Sequence, residues 1–218
     1  MWQAVGIAPP GQTRLCLYCG SNAGTHPAYA DAARHLGTSL ANREIGLVYG
    51  GGSVGLMGIA ADAALAAGGN VIGVITEQLV NAEVAHRSLT DLEVVGSMHE
   101  RKARMSELAD GFIVLPGGFG TVDEFAEMLT WNQLGITSKP VVLLDVEGFW
   151  DPLLTWMDGA VEGGFVRPAH RMLAQRARTV DEAIALATSP GPDVPHKWID
   201  RDGTPHSGVT GQIPIIRS

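Results

Sequence analysis

Six short apolar runs, alternating with stretches of helical spacing, constrain this chain more than any other feature. They cover residues 14–19 (RLCLYC), 46–49 (GLVY), 70–75 (NVIGVI), 92–95 (LEVV), 111–115 (GFIVL) and 140–144 (PVVLL). A strand with one wet face alternates apolar with polar residues. A run that is apolar throughout is buried on both faces, as in a parallel sheet covered by helices. Between the runs, apolar residues recur at helical intervals over 29–43, 54–67, 98–109, 121–134 and 150–161. Shorter helices are expected over 169–175 and 180–187. Strand and helix alternating in this way predict an α/β fold, a three-layer sandwich with a parallel sheet between two helical layers. Ligands in such sheets bind outside the carboxyl ends of the strands. Three glycine-bearing turns fall there, at 20–21, 50–58 and 117–121.

The 218 residues then divide into a loose, Pro/Gly-bearing segment over 1–13, one domain over 14–188, and an extended tail over 189–218 with no hydrophobic periodicity. Apolar residues make up 45% of the chain, enough for a sizeable core, and charged residues only 17%, too few for a disordered chain. The net charge is -8 and no Lys/Arg-rich run occurs, which argues against binding along a nucleic-acid backbone. The only lysines are Lys102, Lys139 and Lys197, so a bound phosphate would rely on backbone N–H groups and a few arginines. The first residues lack a basic segment followed by an apolar run, and no apolar stretch is long enough for a bilayer. The expectation is a cytoplasmic protein with no membrane contact.

The loop after the fifth run reads Pro116-Gly117-Gly118-Phe119-Gly120-Thr121-Val122-Asp123-Glu124. Pro116 ends the strand, the glycines allow close backbone approach to a ligand, and Thr121 is expected to open a helix. The N–H groups and positive dipole end there form an anion site. Thr121 through Glu124 also fit the Ser/Thr-x-x-Glu capping box, in which the glutamate turns back onto the helix's own N-terminus. Local chemistry leaves Glu124 evenly divided between capping and catalysis.

Residues 50–55 (GGGSVG) satisfy G-x-G-x-x-G after a strand and before a helix, with Glu77 roughly where a dinucleotide site keeps its ribose-binding acid. The motif follows the second strand rather than the first, and a tight turn packing Gly55 and Gly58 against the sheet is the favoured reading. In 97–105 (SMHERKARM), Glu100 and Arg104 are spaced as an i,i+4 pair, Met98 and Met105 as core residues, and Arg101 and Lys102 as neighbours facing different directions. Arg101 stands out because it lies in the first helical turn at the ligand-bearing edge, where a guanidinium can hold phosphate, ribose or base. Cys16 and Cys19 show Cys-x-x-Cys spacing but fall in a strand on opposite faces, and are expected to be buried structural residues. No histidine pair has metal-ligand spacing. Ser53 matches a nucleophile elbow by pattern alone.

These motifs, in this order, resemble the Lonely guy (LOG) family, whose members are cytokinin riboside 5′-monophosphate phosphoribohydrolases. The loop at 116–124 matches Pro-Gly-Gly-x-Gly-Thr-x-x-Glu, and 98–102 (MHERK), 49–58 (YGGGSVGLMG) and 130–135 (TWNQLG) are similar to further family segments. The resemblance runs from about residue 14 to about 187. It implies a Rossmann-like fold, a homodimer or larger homo-oligomer, no cofactor and no metal. It implies hydrolysis of AMP or an N6-modified AMP to free base and ribose 5-phosphate. By the same resemblance, Arg101 and Glu124 match the catalytic pair. Glu83, Arg101, Lys102, Gly117, Gly118, Phe119, Gly120, Thr121, Val122, Asp123 and Thr130 match substrate-contacting positions. Two other functions remain open on the residues alone: a nucleotide-binding module without catalysis, and an NAD-dependent oxidoreductase built on the 50–55 turn.

Overall fold

The computed structural model describes residues 11–82, 85–195 and 197. Seven strands form one sheet: β1 (Arg14–Tyr18), β2 (Gly46–Tyr49), β3 (Val71–Thr76), β4 (Asp91–Val95), β5 (Gly111–Val114), β6 (Val141–Leu144) and β7 (Ala174–Ala177). Their order is β4-β3-β2-β1-β5-β6-β7, and every pairing is parallel. The chain builds outward from β1 through β4, then crosses back to lay β5 on the other side of β1. The sheet therefore reverses its order between β1 and β5, the position at which open α/β sheets leave a crevice.

Five of the six runs become strands covered on both faces; the run at 92–95 forms the edge strand β4, which stays partly exposed, with Val94 open to solvent. On one face, Leu15, Leu17, Leu47, Ile113 and Val142 pack against α1 (Pro27–Asn42), α2 (Gly55–Ala66) and α8 (Val180–Ala187). On the other, Cys16, Tyr18, Val48, Phe112 and Val141 pack against α4 (Met98–Leu108), α5 (Phe119–Leu134) and α6 (Asp151–Glu162). Cys16 and Cys19 are free and buried, one in each of these cores, as strand alternation required. Helix α4 is the crossover that carries the chain from one edge of the sheet back to its middle.

Two elements correct the sequence expectation. A helix was expected over 169–175, but only α7 (Pro168–Arg171) is helical there, and β7 follows it. This edge strand is four residues long and buries only its terminal alanines, while Arg176 turns to Asp145 and Asp151. A polar edge strand carries neither the apolar run nor the alternation that marks a strand in sequence. The segment after β3 forms α3 (Glu77–Ala82), also unanticipated because its six residues are too few to show a period. Part of the expected tail packs on the body: Lys197 N–H donates to Gln133 O (2.9 Å) and His170 Nε2 lies 2.8 Å from Pro195 O. The expected N-terminal segment lies almost entirely outside the described residues. Among the described residues no helix is long and apolar enough to cross a membrane.

Candidate active site

The three glycine-bearing turns meet at the β1/β5 switch point. Gly20 is their junction: its N–H donates to Pro116 O (3.0 Å) and its carbonyl accepts from Leu56 N–H (3.1 Å). Gly55 has φ +64°, and a side chain there would run into the backbone of Ser21. The turn after β2 is thus a close-packed corner, although Gly55 packs against the Ser21 turn and Gly58 against Ser53 rather than against the sheet. A first-turn N–H of α2 is already taken by Gly20, which weighs against a dinucleotide pyrophosphate on that helix.

Helix α5 begins two residues before Thr121. Gly118 is its N-cap and offers no side chain, Phe119 and Gly120 are already helical, and Val122 N–H donates to Gly118 O (3.1 Å). Glycine imposes no side-chain constraint on the turn, so the loop reaches helical dihedrals as soon as it clears Gly118. Thr121 is consequently a buried first-turn residue rather than the cap, and the capping box does not form. The N–H groups of Phe119, Gly120 and Thr121 have no intrahelical acceptor, as in any first turn. Gly118, Phe119 and Gly120 are exposed, so the positive end of α5 lies open.

Released from capping, Glu124 faces Arg101. The closest approach is 4.0 Å, from Glu124 Oε1 to Arg101 Nη1, with side chains only 12% and 9% exposed. Arg101 comes from the first turn of α4. Its Nε donates to Val74 O (2.9 Å), its Nη2 to Gly50 O (3.1 Å), and its Nη1 lies 3.8 Å from Met98 Sδ. Burial pushes the Glu124 carboxyl up to about 7, outweighing the attraction of Arg101, which lowers it; Asp123 raises it further. The pair borders a cavity of about 240 Å³, lined also by Cys19, Ser21, Met57, Leu79 and residues 118–121. The Cys19 thiol is held well above its ordinary value, mainly by burial and then by Glu124, so it stays protonated and is no nucleophile.

The other residues named from the sequence separate into groups. Gly118, Phe119, Gly120 and Thr121 line the cavity with Arg101 and Glu124, although the Phe119 side chain is fully open to solvent. Gly117 faces a second cavity of about 240 Å³, lined also by residues 20–24, Tyr29, Leu56 and Phe149; Ser21 and Gly118 line both cavities. Lys102 does not reach either. Its Nζ bridges Asp123 (3.0 Å) and Glu127 (3.2 Å) on α5. Burial alone would lower that ammonium, but the two carboxylates outweigh it and hold it above the ordinary lysine value. Val122 packs into the core, and the Thr130 hydroxyl donates to Ala126 O (2.8 Å) on an exposed face of α5. Glu83 lies outside the described residues.

Within α4, two expectations change. Met105 is core, but Met98 is exposed beside Arg101. Glu100 accepts from Gly96 N–H (2.9 Å) instead of pairing with Arg104, which grips Glu93 through two nitrogens (2.6 and 3.0 Å). Arg101 and Lys102 are both buried and, as expected of neighbours on a helix, point to different partners. Sequence reasoning missed Cys19, Met57 and Leu79 as lining residues, because apolar side chains in helices and strands carry no mark of facing a cavity. Among the described residues, no three of His, Cys, Asp and Glu gather where a metal ion could be held.

Residues 57–187 match the family model described as "Possible lysine decarboxylase". The chain is 47% identical over 171 residues to a cytokinin riboside 5′-monophosphate phosphoribohydrolase LOG of Arabidopsis thaliana, covering 78% of this chain and 80% of the relative. It is 45% identical over 194 residues to one of Oryza sativa subsp. japonica, covering 89% of this chain and 80% of the relative. Among solved structures, the molybdenum cofactor binding protein of Rippkaea orientalis shares the fold, with TM-score 0.62, 24% identity, and coverage of 82% of this chain and 96% of that one. The family model and these identities together establish that the chain belongs to the LOG family.

Proposed function

We propose that this chain is a phosphoribohydrolase that cleaves the N-glycosidic bond of AMP or an N6-modified AMP, giving free base and ribose 5-phosphate. The observation that carries this reading is Glu124: a buried carboxylate, unused by its own helix, facing a buried guanidinium beside an open helix N-terminus. The identity to cytokinin riboside 5′-monophosphate phosphoribohydrolases supports the substrate class.

Cleavage passes through an oxocarbenium-like state with positive charge on the ribose. In this reading Glu124, as carboxylate, stabilises that charge and orients the attacking water, from which it takes a proton. Water oxygen bonds to the anomeric carbon as the carbon–nitrogen bond breaks; the departing base takes a proton from solvent, and Glu124 returns to solvent the one it took from the attacking water. Arg101 holds the substrate and hydrogen-bonds the leaving base. The first-turn N–H groups of α5 grip the 5′-phosphate, so that binding energy far from the reacting carbon fixes the ribose. Lys102, Val122, Asp123 and Thr130 lie off the cavity along α5. They contact substrate in this scheme only if it extends along that helix within a homodimer or larger homo-oligomer. We place the protein in the cytoplasm, with no nucleic-acid or membrane partner. Lysine decarboxylation is not supported, because that chemistry needs a Schiff-base lysine. Lys102 is tied to two carboxylates, and Lys139 Nζ donates to Ser106 O (2.6 Å).

The test is incubation with AMP and with isopentenyladenosine 5′-monophosphate, followed by chromatography for free base. Release of adenine or isopentenyladenine is the expected outcome. Nucleotide binding without release would instead identify a non-catalytic binding module.

A further inference from the structure

We propose that the glycine run after β2 is the seat of Arg101, and that Gly50 is a positioning residue for hydrolysis, acting through that guanidinium. The proposal rests on the hydrolase reading above for its effect on rate, but not for its geometry.

The last register pair of the β2–β3 ladder is Tyr49 with Gly73. The carbonyls to which Arg101 donates are the next ones along each strand, Gly50 O for Nη2 (3.1 Å) and Val74 O for Nε (2.9 Å). Arg101 therefore sits at the end of the β2–β3 pairing and donates to two buried carbonyls just beyond its last register pair. A guanidinium presents its donors in a fixed fork. With the Nε and Nη2 edges held, Nη1 remains to face Glu124 at 4.0 Å, with Met98 Sδ at 3.8 Å.

Gly50 makes this approach possible. A Cβ built on it would land on Nη2 of Arg101, and the next nearest group is Met57 Sδ at 3.3 Å. The backbone of Gly50 is outside the left-handed region, so alanine fits its conformation. What alanine displaces is the end of a long side chain, not the main chain. The first glycine of the G-x-G-x-x-G run is thus required by an arginine from another helix, rather than by a bound dinucleotide.

Two readouts test this. In a ¹H–¹⁵N spectrum of arginine Nε–H groups, the signal lost in Arg101→Lys should be protected from exchange in the native protein and absent in Gly50→Ala. The kcat/KM for base release should fall about 100-fold in Gly50→Ala, the scale of a catalytic group misplaced by an ångström. Adding Gly50→Ala to Arg101→Ala should change the rate by less than about threefold, since a residue acting through another is not additive with it. A protected signal that survives in Gly50→Ala, or losses that multiply in the double variant, would overturn the seat. If the native protein releases no base, the hydrolase reading fails by itself and the Nε signal alone decides. Should Gly50→Ala not fold, Arg101→Lys decides by rate: one ammonium cannot bridge both carbonyls and face Glu124. A loss within about tenfold of Arg101→Ala is expected, and near-native activity would refute the proposal.

Discussion

Helices α4 and α5 are joined through two adjacent cations, and the ionic contacts of the two are built in opposite ways. Lys102 meets Asp123 and Glu127 at 3.0 and 3.2 Å, so its single charge is saturated by two carboxylates. Arg101 approaches Glu124 only to 4.0 Å, and its strong bonds go to main-chain carbonyls instead. The first arrangement ties two helices together. The second leaves a carboxylate and one edge of a guanidinium facing a cavity with bonding capacity unspent. Their electrostatics differ accordingly, since carboxylates raise the Lys102 ammonium while burial raises Glu124 in spite of its arginine. Unspent capacity in a buried place is costly for stability, and it concentrates where substrate is to complete the bonding.

The largest test of this contrast is activity. Glu124→Gln should lower kcat for base release by about 1,000-fold or more, the scale of losing a preorganised charge at the reacting centre, and Arg101→Ala by about 100-fold. Both should leave the fold intact by circular dichroism. A Lys102→Met variant as damaging to kcat as Glu124→Gln would erase the distinction between the pairs.

Stability against pH comes next. Glu124 is raised from 4.5 to about 7, so the folded state holds its proton more tightly than the unfolded chain does. Its favourable contribution is complete below pH 4.5 and is lost as pH rises through 7. Glu124→Gln should therefore be more stable than the native protein at pH 8 by on the order of 3 kcal/mol, and nearly equal to it at pH 4. Urea melts at the two pH values measure this, and equal differences would contradict it. In kinetics, kcat/KM should show an acid limb near pH 7 that moves upward in Arg101→Ala, which removes the leading group that lowers Glu124.

The saturated pair should show the reverse pattern. Lys102→Met should cost about 2 kcal/mol in chemical denaturation, below the cost of breaking a fully buried pair because Asp123 is exposed to water. It should change kcat less than tenfold, about 1.4 kcal/mol of barrier at most. The smallest effect belongs to Thr130→Ala, which removes one hydroxyl bond on an exposed turn and should shift stability by less than about 0.5 kcal/mol. A large rise in KM in that variant would instead show substrate extending along α5.

The parts of the fold legible in the sequence were those with a strong local period. Continuous apolar runs such as 111–115 announced buried parallel strands, and α8 was read correctly from its spacing. The short polar edge strand β7 and the six-residue α3 were not legible, because neither has enough residues to show a pattern. In the site, the glycine turn at 117–118 was legible because glycine and proline act on their own backbone, but the helix expected to open at Thr121 begins at Phe119. Glu124 was not, since a threonine three residues before a glutamate is compatible with capping and with a helix that has already begun.

The chain's own sequence determined the α/β alternation, the two-faced burial of the strands and the open glycine turn before α5, all consequences of side-chain polarity and backbone freedom within a few residues. Only the tertiary structure decided that α5 begins at Phe119, that Glu124 looks across to α4, and that Arg101 and Lys102, neighbours in sequence, take opposite roles. The reason is geometric. A helix sends consecutive side chains roughly 100° apart. What each one meets depends on how the crossover from β4 to β5 sets α4 beside β2, β3 and α5, a relation between distant parts of the chain that no local pattern encodes.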